Sequence, residues 1–227
     1  MSRDVLLYGC SASDEVTALM TWATTTPGLH EFVPDWHRLQ LEHWIWTHRD
    51  DLGTAILDVG VYNPRRWLGA GYVTFGEHEE DHTGSLLALP FAESVFDGVL
   101  LTEVLEHCTD PPLALREVRR VLKPGGLLLV TSPFLWPWHG IEGAYQDYWR
   151  FTHQGWQLLL KDFAGVTITP CTFTPEGAAA YDVLRRWECM GFLRQTHGST
   201  GYLCEAHKVR VPVTTDADRD VGDPVLA

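Results

Sequence analysis

Four short apolar runs frame the chain. Residues 55–60 (AILDVG), 71–75 (GYVTF), 96–101 (FDGVLL) and 127–131 (LLLVT) show little polar alternation, the pattern of parallel strands buried on both faces. Between the last two runs, Asp110 before Pro111 reads as an N-cap with proline in the first helical turn. Leu115, Val118 and Leu122 continue a helical stripe, and Lys123-Pro124-Gly125-Gly126 closes it. Strand, helix and strand in this order predict a doubly wound, mainly parallel α/β sheet. Upstream, Trp36, Leu39, Leu41, Trp44 and Ile45 approach helical spacing after Pro34-Asp35, so residues 1–51 are expected to form an N-terminal helical cap. Its aromatic stripe packs on the domain or on a ligand. Downstream, the pattern predicts a helix over 154–162, a strand over 166–172, a helix over 177–192 and a strand over 201–211. The α/β domain is thus expected to span 52–213, and the Asp-rich stretch 214–227 to be a flexible tail.

Composition narrows the function classes. With 45% hydrophobic and 21% charged residues, 227 residues suffice for one well-cored domain. The 17 Lys and Arg against 30 Asp and Glu give a net charge of −13. Phosphate backbones are bound through clustered cations, and Arg119-Arg120 and Arg185-Arg186 are isolated pairs, so no nucleic-acid partner is expected. Five scattered cysteines without a C-x-x-C spacing point away from a disulfide framework or structural zinc. Asp4, Asp14 and Glu15 interrupt the only apolar run near Met1, and no run approaches the roughly 20 residues of a membrane helix. A cytoplasmic protein with no membrane association is the expectation.

In an open parallel sheet, ligands bind beyond the carboxyl ends of the strands. The segments following each strand therefore carry the candidate chemistry: 58–67, 76–82, 85–86, 102–107 and 132–152. The last is rich in Trp and Tyr and holds His139, Asp147, Tyr148 and Arg150. An imidazole with an ordinary pKa of about 6.5 suits general-base work on a hydroxyl, and a carboxylate such as Asp147 would orient it. The other reading pairs Asp147 with Arg150 to pin the segment and leaves His139 bonded to backbone. Glu106 and His107 read as a structural hydrogen-bond pair, and residues 77–82 (EHEEDH) as a solvated acidic loop, so no metal site is expected. The first loop lacks G-x-G-x-x-G spacing, which disfavours a nicotinamide oxidoreductase.

Residues 91–97 (FAESVFD), 103–107 (EVLEH) and 115–126 (LREVRRVLKPGG) together resemble the type 11 class I methyltransferases. His139 and residues 147–152 (DYWRFT) resemble a subgroup associated with cell-surface glycan or specialised-metabolite pathways. The resemblance runs from about residue 55 to residue 162. It implies a seven-stranded Rossmann-like sheet, S-adenosylmethionine as cofactor, and methyl transfer to a small-molecule acceptor, a sugar or specialised-metabolite hydroxyl. Carried onto this sequence, it places Asp58, Gly60, Glu77, Ser85, Leu86 and Glu103 around the cofactor, and His139, Asp147 and Tyr148 at the acceptor. A homodimer is compatible with it. Three positions depart from the family pattern: only Gly60 remains of the first-loop glycines, Gly76 stands where a ribose-binding acid is usual, and Ser85 stands where an Asp is usual. The alternative is therefore a methyltransferase fold without methylation, acting as a scaffold or as a lyase or cyclase.

Overall fold

The computed structural model describes residues 21–23, 25, 36–60, 65–76, 81–142, 145–171 and 201–210. Glu77, the expected helix over 177–192 and the tail over 214–227 lie outside these residues.

Helix α1 covers Trp36–Thr47, and seven strands follow: β1 (Ile56–Val59), β2 (Tyr72–Gly76), β3 (His82–Thr83), β4 (Phe96–Thr102), β5 (Leu122–Pro133), β6 (Ala164–Pro170) and β7 (Gly201–His207). Helix α2 (Pro111–Val121) precedes β5, and α3 (His153–Leu159) precedes β6. The strands form one sheet in the order β3-β2-β1-β4-β5-β7-β6. The first five in that order are parallel, whereas β7 runs antiparallel to both β5 and β6. The expected doubly wound, mainly parallel seven-stranded sheet is present.

Side-chain alternation along the central strands divides the interior in two. Leu57, Val99, Leu101, Leu128 and Val130 face one core, with Leu115 and Val118 of α2 and Trp156 of α3. Ile56, Leu100, Leu127 and Leu129 face the other, with Leu41 and Ile45 of α1. Both faces are covered, which is why these runs are almost wholly apolar. Of the predicted stripe, Leu41, Trp44 and Ile45 pack on the second core; outside it, Trp46 meets Trp67 at 5.0 Å between ring centroids.

Several boundaries differ from the sequence expectation: β6 runs over 164–170 rather than 166–172, β7 ends at His207 rather than at 211, and two helices end early. Helix α2 begins as predicted, with the Asp110 carboxylate accepting from Leu113 N at 2.9 Å, but it ends at Val121, and Lys123 to Gly126 already belong to β5. The β4–β5 register slips between Phe96 and Gly98, so the extra residues bulge out. Gly125, at φ +82°, takes the left-handed conformation there, and Lys123 Nζ anchors the segment on Asp97 at 2.6 Å. Helix α3 stops at Leu159, short of residue 162, and Leu160 turns into the core as its cap.

Candidate active site

The carboxyl ends of β1 and β4 converge on Gly60 and Val104. Gly60 is left-handed at φ +69°, and a Cβ there would fall 2.4 Å from Val104 Cγ2, so only glycine fits the turn. Its amide donates to Phe75 O of β2 at 2.8 Å. Directly beneath lies Asp58, fully buried at the end of β1. Asp58 Oδ2 accepts from Arg65 Nη1 and from the Tyr72 hydroxyl, both at 2.7 Å, while Oδ1 has no hydrogen-bond partner. Arg65 also grips Glu42 of α1 through Nε at 3.0 Å and Nη2 at 2.7 Å. Burial drives the Asp58 carboxyl upward against the pull of Arg65. Burial opposes the Arg65 charge, but Asp58 and Glu42 outweigh it and hold the guanidinium protonated. The sequence reading missed Arg65, Tyr72 and Glu42. A carboxylate at Glu42, between Leu41 and Ile45 on the apolar face of α1, was the available sign of a buried partner.

Glu103 follows β4 in a left-handed conformation, φ +56°. Its carboxylate accepts from the Thr131 hydroxyl at 2.7 Å and lies 3.3 Å from His37 Nε2 of α1. Burial opposes a charge on His37, but contacts with Cys171 and Glu103 push its pKa up to about 10. Ser85 is exposed, its hydroxyl accepting from Leu87 N at 3.2 Å, and Leu86 packs at the edge of the first core.

The aromatic segment after β5 crosses the same edge. The main-chain oxygen of Glu106 accepts from Tyr148 N at 2.7 Å and Trp149 N at 3.3 Å, and Trp149 Nε1 donates to Cys108 O at 2.8 Å. Arg150 binds both oxygens of Asp147, at 2.5 and 2.8 Å, and reaches the carbonyls of Trp136 and Pro137. Asp147 in turn accepts from His139 N at 3.0 Å, and its Oδ2 lies 3.1 Å from His139 Nδ1. The Asp147–Arg150 pair that pins the segment is present, the His139 ring is bonded to the Pro137 carbonyl, and Asp147 lies beside that ring. Hydrogen bonding from Arg150 holds the Asp147 carboxyl down at about 2. Nδ1 of His139 faces only acceptors, Asp147 Oδ2 and Pro137 O, so it carries the ring proton and Nε2 keeps its lone pair in the neutral form. The Tyr148 ring is half-exposed.

One expectation is corrected. Glu106 Oε1 and His107 Nε2 stand 3.6 Å apart, too far for a hydrogen bond. His107 donates from Nδ1 to Gln146 O instead, at 2.5 Å, because the aromatic segment offers it a carbonyl that the sequence could not place.

Residues 73–130 match the family model described as "Methyltransferase domain". The match covers about a quarter of the chain. Over 102 residues the chain is 36% identical to the ubiquinone/menaquinone biosynthesis C-methyltransferase UbiE of Hahella chejuensis, covering 45% of this chain and 38% of that protein. Over 49 residues it is 47% identical to the malonyl-[acyl-carrier protein] O-methyltransferase of Erwinia pyrifoliae, covering 22% of this chain and 19% of that protein. The chain thus spans well under half the length of the curated relatives it matches. Among solved structures, a chain of the Haloferax volcanii complex between the Trm112 methyltransferase activator and a methyltransferase superposes with a TM-score of 0.52 and 19% identity, over 85% of this chain and 96% of that one. The phosphoethanolamine N-methyltransferase 2 of Haemonchus contortus, in complex with S-adenosyl-L-methionine, gives 0.52 and 14%, over 87% and 58%. At these identities both support the fold alone. Among the described residues no helix is long and apolar enough to cross a membrane.

Proposed function

We propose that the chain is an S-adenosylmethionine-dependent methyltransferase acting on a hydroxyl of a small molecule, a sugar or specialised metabolite. The observation that carries this reading is the clustering of a bare glycine turn, a buried acidic hub and an Asp-oriented histidine on the carboxyl edge of one methyltransferase sheet. The residues present fit the cofactor. Gly60 keeps side-chain bulk from the turn, and Asp58 Oδ1 is a buried acceptor lacking a donor. Two carboxyl groups, Asp58 and Glu42, stand against the single guanidinium of Arg65, an acidic balance that suits a cationic ligand. When bound, S-adenosylmethionine supplies a methyl group on positively charged sulfur. Asp58, Gly60, Glu77, Ser85, Leu86 and Glu103 would hold it.

The chain's own residues then have three tasks. Residues 134–142 and 145–152 would screen water from the reacting atoms and wall the acceptor with Trp136, Tyr145 and Tyr148. His139 Nε2 would take the proton of the acceptor hydroxyl, whose oxygen would receive the methyl group that the cofactor supplies. Asp147 keeps the proton on Nδ1 and stabilises the imidazolium that results. A second reading, the fold without methylation, draws support from Asp58, whose Oδ2 is already committed to Arg65 and Tyr72.

Titration calorimetry with S-adenosylmethionine and S-adenosylhomocysteine separates the two. Micromolar binding, weakened at least tenfold in Asp58→Ala, is the expected result. With phenols and sugars as acceptors, His139→Ala should then lose about 10²–10⁴ in kcat with cofactor affinity unchanged. No binding up to millimolar cofactor would leave the non-methylating reading.

A further inference from the structure

Beside the oriented histidine lies an arrangement that methyl transfer does not require. Glu106 is wholly buried, and among the described residues its carboxylate oxygens have no well-formed hydrogen bond, only weaker approaches from the Ser132 hydroxyl and a backbone amide. The Ser132 hydroxyl also lies 3.4 Å from Pro133 O. A buried carboxylate so poorly supplied with donors is costly. Facing it are two imidazoles in edge-to-face contact, His107 and His139, with ring centroids 4.9 Å apart. The Nδ1 of each is occupied by oxygen acceptors, Gln146 O for His107 and Asp147 Oδ2 and Pro137 O for His139. Each neutral ring therefore offers Nε2 as an electron-pair donor, and His107 Nε2 lies 3.6 Å from Glu106 Oε1. One ligand atom from each of the three residues lies within 4.8 Å of the other two.

We propose that Glu106, His107 and His139 form a binding site for a divalent first-row transition metal, with zinc as its reference ion. Two imidazoles and one carboxylate are the donor set of open catalytic sites that keep a position for water or substrate. Ligands held at about 2.1 Å in a tetrahedral site stand about 3.4 Å apart. The Glu106–His107 pair is already close to that spacing, and small rotations of two partly exposed rings draw in the third donor. The supports behind the rings are those of a built site: Asp147 behind His139 and a main-chain carbonyl behind His107. A cation would supply the opposite charge that a buried carboxylate at Glu106 lacks. Arg150 is the nearby positive group, and its charge is spent on both oxygens of Asp147.

With the metal in place, His139 Nε2 is a ligand, so the base role given to it above belongs to the metal-free protein. In the loaded protein an acceptor hydroxyl occupying the open position would be acidified by the cation, its proton passing to solvent. Metal uptake itself does not depend on cofactor binding, and its use in methyl transfer rests on the proposed function.

The test uses full-length protein stripped with a chelator and titrated with Zn²⁺ by calorimetry and with Co²⁺ by visible absorption. Wild type is expected to take up one tight equivalent, with cobalt giving the intense absorption of a low-symmetry site. Glu106→Gln and His139→Gln should each weaken it at least tenfold, and Asp147→Asn by about 10–100-fold through misorientation of the ring. His207→Gln, outside the site, should leave it unchanged. The melting temperature of Glu106→Gln reports whether the fold is kept, and wild-type stoichiometry stands without any variant. No tight equivalent in wild type, or unchanged affinity in folded Glu106→Gln, overturns the proposal. S-adenosylmethionine titration of the same samples separates this failure from failure of the methyltransferase reading.

Discussion

At Gly60 two constraints coincide, a positive φ and a neighbour 2.4 Å from where a Cβ would stand. Any side chain strains the backbone and pushes on Val104 together. Gly60→Ala should therefore cost about 2–4 kcal/mol, lowering the melting temperature by roughly 5 °C or more; differential scanning calorimetry reads it directly. Gly60 was legible in the sequence because a glycine directly after an apolar strand marks a turn in which the backbone goes left-handed. Arg65 was not: as one of two adjacent arginines after Pro64 it looks like a solvated loop residue, and only the meeting of α1 with β1 and β2 turns it into a buried hub. Likewise Glu106 and His107 read as a local pair, since adjacency in sequence suggests contact, whereas the turn they occupy leaves them 3.6 Å apart.

Among elements, the Arg65 hub decides how α1 meets the sheet. Its guanidinium joins Glu42 on the helix to Asp58 on β1, which Tyr72 of β2 also holds. Removing the cation strands two buried carboxylates, so Arg65→Ala should lose about 3–5 kcal/mol in urea unfolding. Adding Glu42→Gln and Asp58→Asn should restore most of that loss, because no buried charge is then left uncompensated. The central strands and α2 were legible from apolar runs and from one Asp-Pro capping signal. The bulge at the start of β5 was not, because Lys-Pro-Gly-Gly spells the end of a helix equally well. Its role as strand depends on Asp97, a residue 26 positions away that fastens Lys123.

Across the whole molecule, α1 is also tied to the ligand edge by His37 and Glu103. The folded pKa of His37, about 10, lies above the ordinary 6.5, so its contribution to stability is full below pH 6.5 and disappears as pH rises toward 10. The melting temperature of wild type should accordingly exceed that of His37→Gln most at pH 6, and the gap should close by pH 10. The seven-stranded order as a whole was implied by family resemblance; no local pattern could reveal that β7 inserts between β5 and β6, since that pairing joins residues some seventy positions apart. The aromatic segment is fastened to the Leu105–His107 turn by main-chain donors on the main-chain oxygen of Glu106. Any residue but proline supplies such a backbone with the same groups. The side chain at this position is consequently released from architectural duty, and mutation could refashion the chemistry there over generations while the scaffold beneath it stays intact.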